Sequence, residues 1–106
     1  MKQHAYRITV EHVADAKGAA VNAAPLVFSA RNHDDLFAIV ARSRASGRLD
    51  ADDSAAMVVG LKLLGEIMLE HRDEQPFSDL RPALGAFIKA LKQGNAGQAS
   101  TAAQGA

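Results

Sequence analysis

The sequence predicts a small α+β domain: an antiparallel β-hairpin followed by three α-helices (ββααα), the central helix long and apolar. Three observations carry this. From His4 the residues alternate with period two, as in a strand with one face buried. Beyond Asn32 the apolar residues recur at helical spacing in three separate runs. Each run is bounded by residues that cap or break helices.

The first strand is read over His4 to Val13. Tyr6, Ile8 and Val10 share one face, and Arg7, Thr9 and Glu11 the other. A turn-rich segment, Ala14 to Ala24, follows, with Asp15-Ala16-Lys17-Gly18 as its reversal. Pro25 opens a second strand to about Arg31; a missing N–H is tolerated at the end of a ladder. Asn32 is then read as a helix N-cap, with Asp35 three residues on in the manner of a capping box. Helix one is expected over His33 to Ser46, closed by Gly47 in the left-handed conformation. Asp50 caps the second helix, with Asp52 and Asp53 in its positive first turn. That helix runs to about His71 and is apolar nearly all round. Only Lys62, Glu66 and Glu70, spaced by four, give a narrow stripe expected to face water. A third helix follows Pro76, capped by Ser78, with Leu80, Leu84, Phe87, Ile88 and Leu91 at helical spacing. From Gln93 to Ala106 there is no charge and no large apolar residue. Such a stretch cannot bury enough surface to offset its ordering entropy, so a disordered tail is expected after a single domain over 1–92.

Composition bounds the function. Leu, Ile, Val and Phe make up 25 of the 106 residues, above the roughly 20 per cent below which chains tend to be disordered. There is no cysteine, which removes disulfides and thiolate metal sites and suits a reducing, cytoplasmic compartment. The longest apolar stretch, Ala55 to Leu69, is interrupted by Lys62 and Glu66 and falls short of the ~20 residues that span a bilayer. Twelve basic residues balance twelve acidic ones, which argues against nucleic acid, where phosphate neutralisation favours a basic excess. No membrane association is expected.

Several polar groups invite a chemical reading. Asn32-His33-Asp34-Asp35 is the densest cluster, and His with carboxylates can ligate a divalent ion. Adjacent helical residues point about 100° apart, however, and a helix N-terminus accounts for the same residues. His4 and His12 share the parity of Tyr6, Ile8 and Val10, but lie ~26 Å apart along a strand. Asp50, Asp52 and Asp53 lack the glycine and the twelfth-position acid of a calcium loop, and capping explains them. Arg31, Arg42, Arg44 and Arg48 are the chain's one basic bias, suited to phosphates or a carboxylated ligand. Arg42 and Arg44, two apart on a helix, point to different sides. No Ser-His-Asp order, P-loop or dinucleotide fingerprint is present, so no catalytic residue, metal or cofactor is assigned.

Tyr6-Arg7-Ile8-Thr9-Val10-Glu11, Asn32-His33-Asp34-Asp35, Gly60-Leu61-Lys62-Leu63 and the segment from Glu66 to Leu69 resemble a family of small bacterial proteins, domain of unknown function 3861. The resemblance spans about Met1 to Lys92. It implies a compact bacterial cytoplasmic domain and brings no activity, cofactor or catalytic residue.

Two expectations follow. A lone hairpin is marginal in water and has two open edges, and the central helix has more apolar surface than one protomer covers. Both are relieved by homodimerisation, through sheet extension or helix packing. The leading expectation is therefore a non-enzymatic homodimeric interaction or accessory module, with a further protein partner in view. The alternative is a small-molecule binder or enzyme with a pocket between hairpin and helices, drawing on His33, Asp34, Arg7 and His12.

Overall fold

A computed structural model describes the backbone of residues 2–104 and the side chains of residues 2–93. The chain runs β1 (His4–Val10), β2 (Leu26–Asn32), α1 (Leu36–Ser46), α2 (Ala51–Glu70), α3 (Phe77–Gln104). β1 and β2 pair antiparallel in one two-stranded sheet, with His4 opposite Asn32 and Val10 opposite Leu26. The ββααα order agrees with the sequence expectation. β1 is shorter than expected, because its ladder with β2 stops at Val10. The reversal forms at the expected residues. Asp15 accepts at its side chain from the amides of Lys17 and Ala19, both at 2.9 Å. Gly18 supplies a φ of +87°, which a side chain would resist.

The period-two register puts Tyr6, Ile8, Phe28 and Ala30 on one face of the hairpin. That face lies along α2, where Phe28 and Ala30 share a cleft with Leu63 and Ile67. α1 and α2 make the tightest helix pair. Two small polar residues, Ser43 and Ser54, are buried there, and their size lets the backbones come close. The turn between the helices is fixed at both ends. Gly47 closes α1 at φ +73°, Asp50 caps α2 by accepting from the Asp53 amide at 2.7 Å, and the Arg44 guanidinium donates to the Ala51 carbonyl at 3.0 Å.

α3 starts at Phe77 rather than at a Ser78 cap, and Ser78 lies inside it, its amide bonded to the Glu74 carbonyl. Pro82 is the sixth residue of this helix, so the carbonyl of Ser78 loses the partner it would otherwise have. α3 rests on α1 and α2 more lightly than those two rest on each other. Among the described residues, Leu36, Val58 and Met68 are the buried apolar ones.

Helical backbone continues to Gln104, through most of the stretch 93–106 expected as a tail; Gly105 and Ala106 lie outside the described residues. We propose that the folded unit nonetheless ends near Lys92, because nothing beyond it is charged or apolar and larger than alanine. A chain ending at Lys92 is expected to melt within about 3 °C of the full chain, since it loses no large apolar burial. Circular dichroism melts of the two chains check this; a drop well beyond that margin would place the end of the fold further on.

Candidate functional site

The polar residues that the sequence brings to notice gather where the hairpin enters α1. Asn32 ends β2 and is 1 % exposed. It is not the cap of α1. Its amide nitrogen donates to the Lys62 carbonyl of α2 at 2.9 Å, and its oxygen accepts from the Asp34 amide at 2.9 Å. A side chain committed to α2 cannot also cap α1, so the helix starts three residues later. Asp35 takes the capping role, accepting from Phe37 and Ala38.

Tyr6 completes the arrangement from β1. Its hydroxyl donates to the Asp34 carbonyl and accepts from the Leu36 amide, both at 2.9 Å. With the Asp35 carbonyl receiving the Ile39 amide at 3.2 Å, the orphan donors of the first turn of α1 all have partners. β1, β2, α1 and α2 thus meet at one joint.

Charged groups surround this joint. Lys62 donates to the Asp34 carboxylate at 2.9 Å, and that hydrogen bond holds the Asp34 carboxyl below the ordinary aspartate value of 3.8. Partial burial opposes the effect; the charge of Lys62 and the nearby His33 and Lys92 add to it. The His33 ring lies between two carboxylates, Nε2 at 3.5 Å from Asp34 and Nδ1 at 3.7 Å from Glu66. Both distances exceed hydrogen-bond length. The two ring nitrogens face different carboxylates, so His33, Asp34 and Glu66 do not converge on a common point. Glu66 also accepts from the Gln3 amide at 2.8 Å. Among the described residues no group of three or more His, Asp or Glu is placed to hold a metal ion.

Of the stripe expected to be wet, Lys62 and Glu66 are largely covered, while Glu70 is exposed. The Glu66 side chain is 10 % exposed and that of Lys62 21 %, because both lie under the hairpin and the turn at 32–35. Further round α2, Leu64 is 40 % exposed and Ile67, at the edge of the cleft beneath the hairpin, is 48 % exposed. Two of the three charges face the protein, the third, Glu70, is exposed, and Leu64 and Ile67 stand partly open to water.

Of the four residues singled out for ligand binding, the structure pairs His33 with Asp34. Arg7 lines a separate cleft with Ile8, Phe37, Val40 and Arg44. His12 stands exposed in the loop beyond β1. The structure adds Tyr6, Lys62 and Glu66 to the Asn32-His33-Asp34 cluster read from the sequence. A signal for Lys62 and Glu66 exists: charges on an otherwise apolar helix need polar partners, and Asn-His-Asp supplies them.

The fold and its polar joint define a small ββααα protein whose clustered polar side chains hold a hairpin to a helix pair. The chain belongs to the family of domain of unknown function 3861, a domain with a solved structure, whose model matches residues 4–93. It is similar to a protein of unknown function from Pectobacterium atrosepticum, with a TM-score of 0.74 and 30 % identity. The match covers 87 % of this chain and 99 % of that one. No curated protein matches the chain.

Two substitutions test the joint. Asn32→Ala is expected to cost about 2–3 kcal/mol, since it strips partners from buried backbone groups; urea unfolding measures it, and a loss under about 0.5 kcal/mol contradicts the joint. Asp34→Asn probes the ion pair. With its folded-state pKa lowered, Asp34 contributes stability above its unfolded value and loses it as pH falls through the folded value. The variant should therefore be about 0.5–1 kcal/mol less stable at pH 7, a part-exposed pair being worth no more. Its deficit should shrink below pH 3.8; a deficit independent of pH contradicts the assignment.

Proposed function

We propose that this protein is a non-enzymatic, self-associating interaction module, and that the open stripe of α2 is its contact surface. The observation that carries this is on α2, where Lys62 and Glu66 are largely covered while Leu64 and Ile67 are 40 % and 48 % exposed. A soluble monomer gains nothing from that orientation, whereas an associating protein does.

The apolar side chains left open include Val10, Leu26 and Phe28 on the hairpin as well as Leu64 and Ile67.

The partner that fits best is a second copy. Ala56, Gly60, Leu64 and Ile67 follow one another at four, four and three residues along α2, one side of a helix. Small residues occupy the N-terminal half and large ones the C-terminal half. An antiparallel copy related by a two-fold axis near residue 62 sets Ile67 opposite Ala56, and Leu64 opposite Gly60. Large meets small, as close packing requires. At Gly60 the space where a Cβ would stand is open. Helix packing is favoured over sheet extension on this ground.

The zero net charge supports a protein partner rather than a nucleic acid, and the absence of cysteine suits a bacterial cytoplasm. Among the described residues no helix is long and apolar enough to cross a membrane.

Size-exclusion chromatography with light scattering at tens of micromolar tests the proposal. The full chain should weigh about twice 11.2 kDa. Ile67→Asp should weigh 11.2 kDa with its far-ultraviolet circular dichroism unchanged, and Leu80→Asp, on α3, should stay dimeric. A monomeric parent chain rules out self-association; a dimeric Ile67→Asp rules out this surface.

A further inference from the structure

A second feature stands apart from the α2 stripe. Between α1, α2 and α3 lies an open-sided cleft of about 170 Å³. Its walls are apolar: Ile39 from α1, Met57 and Leu61 from α2, Ile88 and Leu91 from α3. Its mouth is not. Arg42, Lys62 and Lys92 line it together with one carboxylate, Asp34.

Three cations against one anion leave a local surplus of two positive charges, in a chain whose net charge is zero. Lys62 is committed to Asp34 at 2.9 Å. Arg42 and Lys92 make no ion pair among the described residues, although Lys92 is near enough to favour the ionised Asp34. Like charges gathered over an apolar floor repel one another and are relieved by an anion that brings its own apolar body. The arginines are also the one basic bias of the sequence. Arg44 is taken up by the Ala51 carbonyl, while Arg42, two residues earlier, turns the other way into the cleft.

We infer that this cleft binds a small monocarboxylate with an apolar body, its carboxylate meeting Arg42 and Lys92 and its hydrocarbon part lying between the three helices. Size sets the body. A cavity near 150 Å³ accommodates one benzene ring, so a single ring or a chain of about six carbons fits. Charge sets the head. Arg presents a planar fork matched to a carboxylate, and Asp34 at the same mouth repels a second negative charge, which disfavours phosphate monoesters. The light seating of α3 on the other two helices gives the cleft room to adjust.

Titration of the full chain with benzoate, followed by amide nuclear magnetic resonance, tests this. Saturable shifts are expected around residues 39–43, 57–62 and 88–92, with a submillimolar dissociation constant. Benzyl alcohol, of like shape without the charge, should bind about tenfold more weakly or worse. Arg42→Ala and Lys92→Gln should each weaken benzoate by a similar factor, while Arg48→Ala should not. Hexanoate should compete with benzoate. The inference is overturned if no saturable shifts appear at millimolar benzoate, or if they scatter over the surface. It is equally overturned if benzyl alcohol binds as well as benzoate, which would mean that the cations merely lay their stems over apolar surface. Arg42 is exposed and its loss should leave the fold intact; Lys92→Gln gives an independent reading at the same mouth.

Discussion

The architecture depends on the two hydrogen bonds of a single buried amide. Asn32 ties the end of β2 to the middle of α2 through the Lys62 carbonyl, and to the start of α1 through the Asp34 amide. A two-stranded sheet has too little surface to be stable alone. It persists here because one end is fastened to the helix pair, and Tyr6 fastens the other strand at the same place. A side chain 1 % exposed with both functions bonded fixes geometry as well as stability, since any other register leaves a buried polar group without a partner. Once β2 is set in this way, the Asp34–Lys62 pair and the placement of Glu66 under the turn follow from it.

Most of the local structure was legible because its causes are local. The reversal at Asp15 to Gly18, the left-handed close of α1 at Gly47 and the cap of α2 at Asp50 each rest on residues within four positions of one another. Asn32 was misread for an instructive reason. An asparagine before an apolar helical run has the same short-range signature whether it caps that helix or reaches thirty residues away to another. Only the tertiary position of Lys62 separates the two, and Asp35, next in line, was equally able to cap.

The charged stripe of α2 failed in a related way. Periodicity established that Lys62, Glu66 and Glu70 share one side of the helix, but periodicity does not say which side meets water. The usual presumption that charges face outward gives way where another element brings complementary polar groups, as the 32–35 turn does. The candidate site was legible to the extent that it is contiguous: His33 and Asp34 belong together. Arg7 and His12 were separated from them by strand length and register, which a one-dimensional reading cannot convert into distance until the partner residues are known.

Fastening at one end has a mechanical consequence. β1 and β2 run some 20 Å from the clamp, at about 3.3 Å per residue over seven residues. Beyond them the loop holds only its own short turn. The hairpin is thus a cantilever: β2 lies beside α2 as far as Phe28, and the outer end, where Val10 and Leu26 stand uncovered, is the part least held.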